Sequence, residues 1–165
     1  VGGTTARMDD PELTVRGPLV PRRPPLRVVV TRRGRLAPGS ALARTAHVVP
    51  VAVLATEGVA DDAVELGRAG IEVLACDGLA AGFAALWSRG VGSVLVEGGG
   101  RLAGALLAGG LVDRLHWVQA PLWLGDDGVP AVAGLPGNVI TDAVRWRVVE
   151  RRALGEDTLL VVDRR

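Results

Sequence analysis

Residues 94–107, with the sequence VLVEGGGRLAGALL, decide the fold of this chain. The apolar residues predict a short strand that ends at Glu97, and three glycines then precede a helix that begins near Arg101. Glycines let the backbone approach a ligand closely, and the first N–H groups of a helix attract phosphate. Because open α/β sheets bind ligands at the carboxyl ends of their strands, the pattern predicts a nucleotide or cofactor site that Glu97 faces.

The same glycines would also suit a tight strand-to-helix turn that binds nothing. The dinucleotide-binding motif G-x-G-x-x-G is not matched, because Gly98, Gly100 and Gly104 are one residue too widely spaced at the end. The sequence therefore disfavours a Rossmann fold and favours a ligand-binding turn in another α/β fold.

The composition indicates one folded domain without a strongly charged partner. The chain has 165 residues, of which 48% are hydrophobic, and its formal net charge is +1. This charge gives no electrostatic reason for binding nucleic acid or a membrane surface. Cys76 is the only cysteine, and the two histidines, His47 and His116, have no partner at metal-ligand spacing. We therefore expect neither a disulfide framework nor a metal site.

The longest charge-free apolar run, residues 102–112, is shorter than the ~18 residues that a membrane-spanning helix needs. The sequence shows no secretory signal. A cytoplasmic enzyme or binding domain is the resulting expectation.

Apolar strands alternate with helices along most of the chain. The pattern predicts strands at residues 26–31, 48–56, 71–75, 91–97 and 114–120. The last two strands, at residues 145–152 and 158–163, have no helix between them and predict an antiparallel hairpin. We therefore expect an α/β fold with a mixed, mainly parallel sheet flanked by helices and a C-terminal antiparallel hairpin.

Two of the predicted helices begin at aspartates, which are good helix caps. Asp61 and Asp62 would cap a short helix that continues to Ala69, and Asp77 would cap a second helix. Helical spacing places four apolar residues on one face of this second helix: Leu79, Phe83, Leu86 and Trp87. The long segment at residues 121–138, rich in glycine and proline, suggests a functional loop.

A second group of polar residues lies at residues 2–16, GGTTARMDDPELTVR. Small residues and hydroxyls that could hydrogen-bond a cofactor are followed by Asp9, Asp10 and Arg16. Taken alone, these residues are better explained as a helix-terminal turn with solvated charges.

Several motifs in order resemble one family over residues 1–163. They are Gly-x-x-Thr-x-x-x-Asp-Asp-Pro-x-Leu-Thr-x-Arg, an Arg-Val-Val-Val strand, Val-Glu-Gly-Gly before an Ala/Leu helix, and Gly-Leu-Val-Asp. The segments APLWLG at residues 120–125 and LGED at residues 154–157 extend the similarity. The chain resembles the reductase domain of the bifunctional riboflavin-biosynthesis deaminase/reductase.

This resemblance implies a dihydrofolate-reductase-like fold and NADPH-dependent reduction of 5-amino-6-(5-phosphoribosylamino)uracil to 5-amino-6-(5-phosphoribitylamino)uracil. It also implies a set of cofactor-binding positions: Thr5, Asp9, Arg32, Gly99, Gly100, Arg101, Leu102, Ala103, Gly104 and Ala105. The implied substrate-binding positions are Leu13, Arg16 and Glu97.

Asp9 and Glu97 would be the catalytic residues. Arg16 could pair with the phosphate of the substrate, and Glu97 could accept hydrogen bonds from ribose hydroxyls or the pyrimidine edge. Asp9 could orient the ribose or assist proton delivery.

By the same resemblance, residues 1–165 form a single reductase domain that is truncated at its N-terminus, so that a first strand and any fused zinc deaminase domain would precede Val1. The family further implies a homodimer. A stand-alone reductase that acts before deamination in the same pathway is an alternative, as is a non-catalytic domain that supports dimerisation or a fused deaminase. A true dihydrofolate reductase is disfavoured by Glu97 directly before the glycines.

Overall fold

The structure is a computed structural model that describes residues 1–18, 21–60, 63–137, 139–141 and 143–165. Five helices and six strands are assigned among these residues. In chain order they are α1 Gly3–Asp9, β1 Arg27–Thr31, α2 Ala41–Arg44, β2 Val51–Ala55, α3 Ala63–Arg68, β3 Glu72–Ala75, α4 Gly78–Trp87, α5 Gly100–Ala108, β4 Arg114–Gln119, β5 Trp146–Leu154 and β6 Asp157–Arg164.

The first three strands form a parallel sheet in the order β1-β2-β3. Their register pairs Val29 with Val53, and Val53 in turn with Val73. Every residue of the central strand β2 is buried, as expected for a parallel strand with both faces covered. Helices α1, α3 and α4 contact this sheet. The predicted strands and their parallel arrangement are confirmed.

The last three strands form an antiparallel sheet in the order β4-β6-β5. Strands β5 and β6 are joined by a tight turn in which Gly155 has a φ of +64°. This conformation is easily adopted by glycine, and the predicted C-terminal hairpin is confirmed. Near the end of the central strand β6, the Asp163 carboxylate accepts hydrogen bonds from Arg114 at 2.6 Å and 3.0 Å and from Arg147 at 3.2 Å. These cations lower the pKa of Asp163.

The prediction of a strand at residues 91–97 is wrong, because these residues have no regular secondary structure. The segment lines one side of a groove, and β1 lines the other side. No strand of the described residues lies between them to supply ladder hydrogen bonds, and Leu95 is 77% exposed. The described strands therefore form two separate three-stranded sheets.

Helix α4 forms where it was predicted, but two details differ. Asp77 occupies the position before the helix without a side-chain capping hydrogen bond. On the predicted apolar face Leu86 is buried and Leu79 and Phe83 are half-buried, whereas Trp87 is 70% exposed. The predicted caps Asp61 and Asp62 lie outside the described residues, although α3 follows directly after them.

Helix α2 is not among the predicted elements. Ser40 caps it by accepting a hydrogen bond from the Ala43 N–H at 3.3 Å, and Leu42 and Ala43 pack into the main core. A serine before a short run of helix-forming residues was the available signal. Within the described residues, no helix has the length and apolarity required to span a membrane.

Candidate active site

A groove of about 700 Å³ separates β1 from residues 91–97. Apolar side chains from both sides line most of it, among them Val28, Val30 and Val91. The three predicted substrate-binding residues, Leu13, Arg16 and Glu97, line the same groove although up to 84 positions separate them in the sequence (97 − 13). The structure therefore brings the Arg16 cation and the Glu97 anion to a mainly apolar groove, which the buried residue Arg27 also lines.

Glu97 lies near the place where the N-terminal residues join the parallel sheet. The Val1 amino group donates a hydrogen bond to the Val28 carbonyl at 2.9 Å, and the Val30 N–H donates to the Val1 carbonyl at 2.9 Å. Burial lowers the pKa of this amino group, and the negative charge of Glu97 opposes the shift. Val1, Val28 and Glu97 all line the groove, so the carboxylate and this edge of β1 border the same space.

The turn after Glu97 has a conformation that favours glycine. Gly98 and Gly99 have φ values of +66° and +86°, which L-residues rarely adopt. A Cβ atom at Gly99 would lie 2.9 Å from the Thr5 Oγ1 atom, whereas a Cβ atom at Gly98 would meet nothing within 4 Å. The glycine turn therefore lies directly against α1, and two of the predicted cofactor-binding residues, Thr5 and Gly99, are neighbours.

Helix α5 begins at this turn with its N-terminus uncapped by any side chain. Its first backbone bond runs from the Ala103 N–H to the Gly99 carbonyl. The N–H groups of Gly100, Arg101 and Leu102 consequently have no acceptor within the helix. Its first turn contains no acidic residue, and Arg101 is exposed there. These features suit a phosphate group at the helix N-terminus.

Gly100 and Gly104 lie against the backbone of the segment at residues 130–133. A Cβ atom at either position would overlap a backbone carbonyl oxygen, that of Pro130 or Ala133. The Ala133 N–H also donates to the Gly100 carbonyl at 2.9 Å. Part of the long segment at residues 121–138 therefore packs against α5. Backbone packing thus requires glycine at these two positions, and their contact with the cofactor stays a prediction.

Asp9, Asp10 and Arg32 do not line the groove. Asp9 is exposed at the end of α1, and Arg32 is exposed directly after β1. Asp10 instead accepts a hydrogen bond from the Ala41 N–H at the start of α2, at 2.7 Å. In the described part of the chain, no group of three or more His, Cys, Asp or Glu residues could hold a metal ion.

A family model described as the RibD C-terminal domain matches residues 1–160. The chain belongs to this family. A riboflavin biosynthesis protein RibD from Mycobacterium tuberculosis is 34% identical over 163 residues, which cover 97% of this chain and 40% of the relative. The chain thus spans about two fifths of that protein's length.

This chain spans about three quarters of the length of a second relative. The 2,5-diamino-6-ribosylamino-4(3H)-pyrimidinone 5′-phosphate reductase of Methanothermobacter thermautotrophicus is 30% identical over 166 residues, covering 97% of this chain and 76% of that protein. Among solved structures, Acinetobacter baumannii RibD is 26% identical with a TM-score of 0.78, covering 99% of this chain and 46% of that one. This likeness confirms the expected dihydrofolate-reductase-like α/β fold.

Proposed function

We propose that this domain reduces 5-amino-6-(5-phosphoribosylamino)uracil to its ribitylamino product with NADPH as the cofactor. The observation that carries the proposal is the groove that Leu13, Arg16 and Glu97 share, beside the Gly98–Gly99 turn, in a member of the RibD C-terminal domain family. The uncapped N-terminus of α5 and the adjacent Thr5 suit the cofactor's phosphates.

In this proposal the residues of the groove bind and orient the phosphorylated substrate. Arg16 pairs with its phosphate in a charge-assisted contact, and Glu97 accepts hydrogen bonds from ribose hydroxyls or the pyrimidine edge. The nicotinamide supplies the hydride that C1′ of the ring-opened sugar accepts. Asp9 assists delivery of the proton to the nitrogen bound to C1′.

Arg32 and Arg33 would provide the preference for NADPH, because both are exposed directly after β1 and their guanidinium groups suit a 2′-phosphate. Replacing both with alanine should reduce the ratio of NADPH to NADH efficiency by roughly tenfold, measured as kcat/KM with each cofactor. The exposed pair Arg22 and Arg23, changed in the same way, is the matched control. Equal losses with the two cofactors would show that these arginines do not recognise the phosphate.

A second candidate function is reduction of the still-aminated pyrimidine, before deamination. The Methanothermobacter relative with this activity in its name supports it. Offering each pyrimidine separately with NADPH distinguishes the two functions by the substrate that is turned over. Titration with NADPH alone tests the non-catalytic alternative, for which no saturable binding is expected.

We also propose that an additional extended segment occupies the part of the groove between β1 and residues 91–96 in the active reductase, and leaves the part beside Leu13, Arg16 and Glu97 for the substrate. The outer edge of β1 pairs through Val28 and Val30 with Val1 and Gly2, and Leu26 lines the groove beyond that pairing. A strand placed there would bond to β1 and supply a partner for residues 91–97. Fusion to a zinc deaminase domain belongs to the same proposal and is supported by the greater length of the M. tuberculosis relative.

The proposal also includes a homodimer. Its location is the cytoplasm, since phosphorylated sugars and NADPH are produced there. Strand β4 and the segment after it expose Trp117, Val118, Leu122, Trp123 and Leu124, and large exposed apolar patches mark interfaces. Sedimentation should give the mass of a dimer, and Trp123→Arg should shift it to a monomer. Trp87→Arg is the control, because Trp87 is 70% exposed at the end of α4. A monomeric wild-type protein would contradict the dimer.

A further inference from the structure

Arg27 is a buried cation at the first position of β1, with a side chain only 2% exposed in the described structure. Its guanidinium donates hydrogen bonds to four oxygen atoms. The Nη1 atom lies 3.0 Å from the Glu12 carbonyl oxygen and 2.8 Å from the Thr45 Oγ1 atom. The Nη2 atom lies 3.1 Å from the Thr45 carbonyl oxygen and 2.5 Å from that of Val49. One side chain therefore joins three separate parts of the backbone.

Burial of the Arg27 charge in this arrangement reduces the free energy of unfolding of the domain. None of the four acceptors is a carboxylate, and the buried Nε atom has no hydrogen-bond partner among the described residues. Burial lowers the pKa of Arg27, and the charge of the Glu12 carboxylate opposes this shift. Because a well-packed apolar residue is often at least as stabilising as a buried ion, stability alone does not explain an arginine here.

Arg27 binds the segment at residues 10–13, whose backbone has an unusual conformation. Asp10 and Leu13 have φ values of +40° and +50°, and they are the non-glycine residues with positive φ in the described structure. Such conformations persist only when the surroundings impose them. The Ala41 N–H binds the Asp10 side chain at one point, and Arg27 binds the Glu12 carbonyl at the next.

The residues that follow this attachment are the ones that line the groove. Leu13 comes directly after Glu12, and Thr14, Val15 and Arg16 complete the wall on that side. Movement of the Glu12 carbonyl would therefore displace the side chains proposed to bind the substrate, with no change at the glycine turn that is proposed to bind the cofactor.

We infer that Arg27 is a positioning residue for the pyrimidine substrate, which acts by fixing the Glu12 carbonyl and so placing Leu13 and Arg16 in the groove. This inference rests on the proposed function, because it assigns the substrate to these two residues. It adds a residue that acts through the backbone of Glu12, because its guanidinium is bound to oxygen atoms of Glu12, Thr45 and Val49.

The test compares Arg27→Lys and Arg27→Met with the wild-type enzyme by steady-state kinetics. Lysine retains the charge but reaches fewer of the four acceptors, and methionine retains apolar volume only. We expect the KM for the pyrimidine to rise roughly tenfold in Arg27→Met and less in Arg27→Lys, with the KM for NADPH within about twofold of wild type. Arg89→Lys, at an exposed salt bridge with Glu72, is the matched control and should change neither constant.

Hydrogen exchange by mass spectrometry supplies a readout that does not depend on activity. Faster exchange confined to residues 10–16 in the Arg27 variants is expected, because amides exchange faster where local structure loosens. If both variants fail to fold, Thr45→Val decides, since it removes one acceptor and should loosen the same segment to a smaller extent.

The two readouts separate the possible failures. Unchanged exchange in a folded Arg27 variant would overturn the inference, as would faster exchange together with an unchanged pyrimidine KM. If the wild-type protein reduces neither pyrimidine, the proposed function fails, while the exchange experiment still shows whether Arg27 holds residues 10–16. A loss of active protein with both KM values unchanged would indicate a purely structural role and would also overturn the inference.

Discussion

Glu97→Gln should lower kcat for the pyrimidine roughly 100-fold while the Kd for NADPH stays close to that of the wild type. The change keeps the size of the side chain and removes its negative charge. The carboxylate lines the groove together with Leu13 and Arg16, whereas the proposed cofactor phosphate site lies at the following turn and the N-terminus of α5. The variant should therefore lose turnover and keep its affinity for NADPH.

The measurements are steady-state turnover at saturating cofactor and fluorescence titration with NADPH. Glu72→Gln is the matched control, because Glu72 is a surface carboxylate that pairs with Arg89 at 2.9 Å, and it does not line the groove. Near-normal turnover of Glu97→Gln would remove Glu97 from the site.

Gly99→Ala should weaken NADPH binding by roughly tenfold or more, because two penalties act at this residue. The φ of +86° strains any L-residue by about 1–3 kcal/mol. The new Cβ atom would also lie 2.9 Å from the Thr5 Oγ1 atom, so that α1 and the turn must move apart. Both parts belong to the proposed cofactor site, and the Kd for NADPH is the quantity to measure.

Gly98→Ala separates the two penalties, since Gly98 has a φ of +66° but open space around its missing side chain. It should weaken NADPH binding less than Gly99→Ala does. Adding Thr5→Ala to Gly99→Ala should cost less than Thr5→Ala costs alone, because removing Oγ1 relieves the close approach. Equal effects of the two glycine variants, or additive effects in the double mutant, would show that the contact between Thr5 and Gly99 does not matter for binding.

The candidate site could be predicted in part. The glycines after Glu97 identified the turn and the helix α5, and the family resemblance named Leu13, Arg16 and Glu97, which the structure places on one groove. Neither line of reasoning indicated Arg27. An arginine at the start of a strand is ordinary on the surface, and only its burial against Glu12, Thr45 and Val49 makes it unusual.

The sequence by itself determined the parallel strands, the C-terminal hairpin and the glycine turn. Apolar periodicity and turn chemistry act over a few neighbouring residues, so they can be read locally. Only the tertiary structure decided that residues 91–97 are not a strand, that Gly104 packs against Ala133 and that Arg27 holds Glu12. A strand needs a hydrogen-bonding neighbour, and a close contact needs its partner. The neighbouring strand and the contact partner are both far away in the chain. Contacts between such distant residues leave no periodic pattern in the sequence.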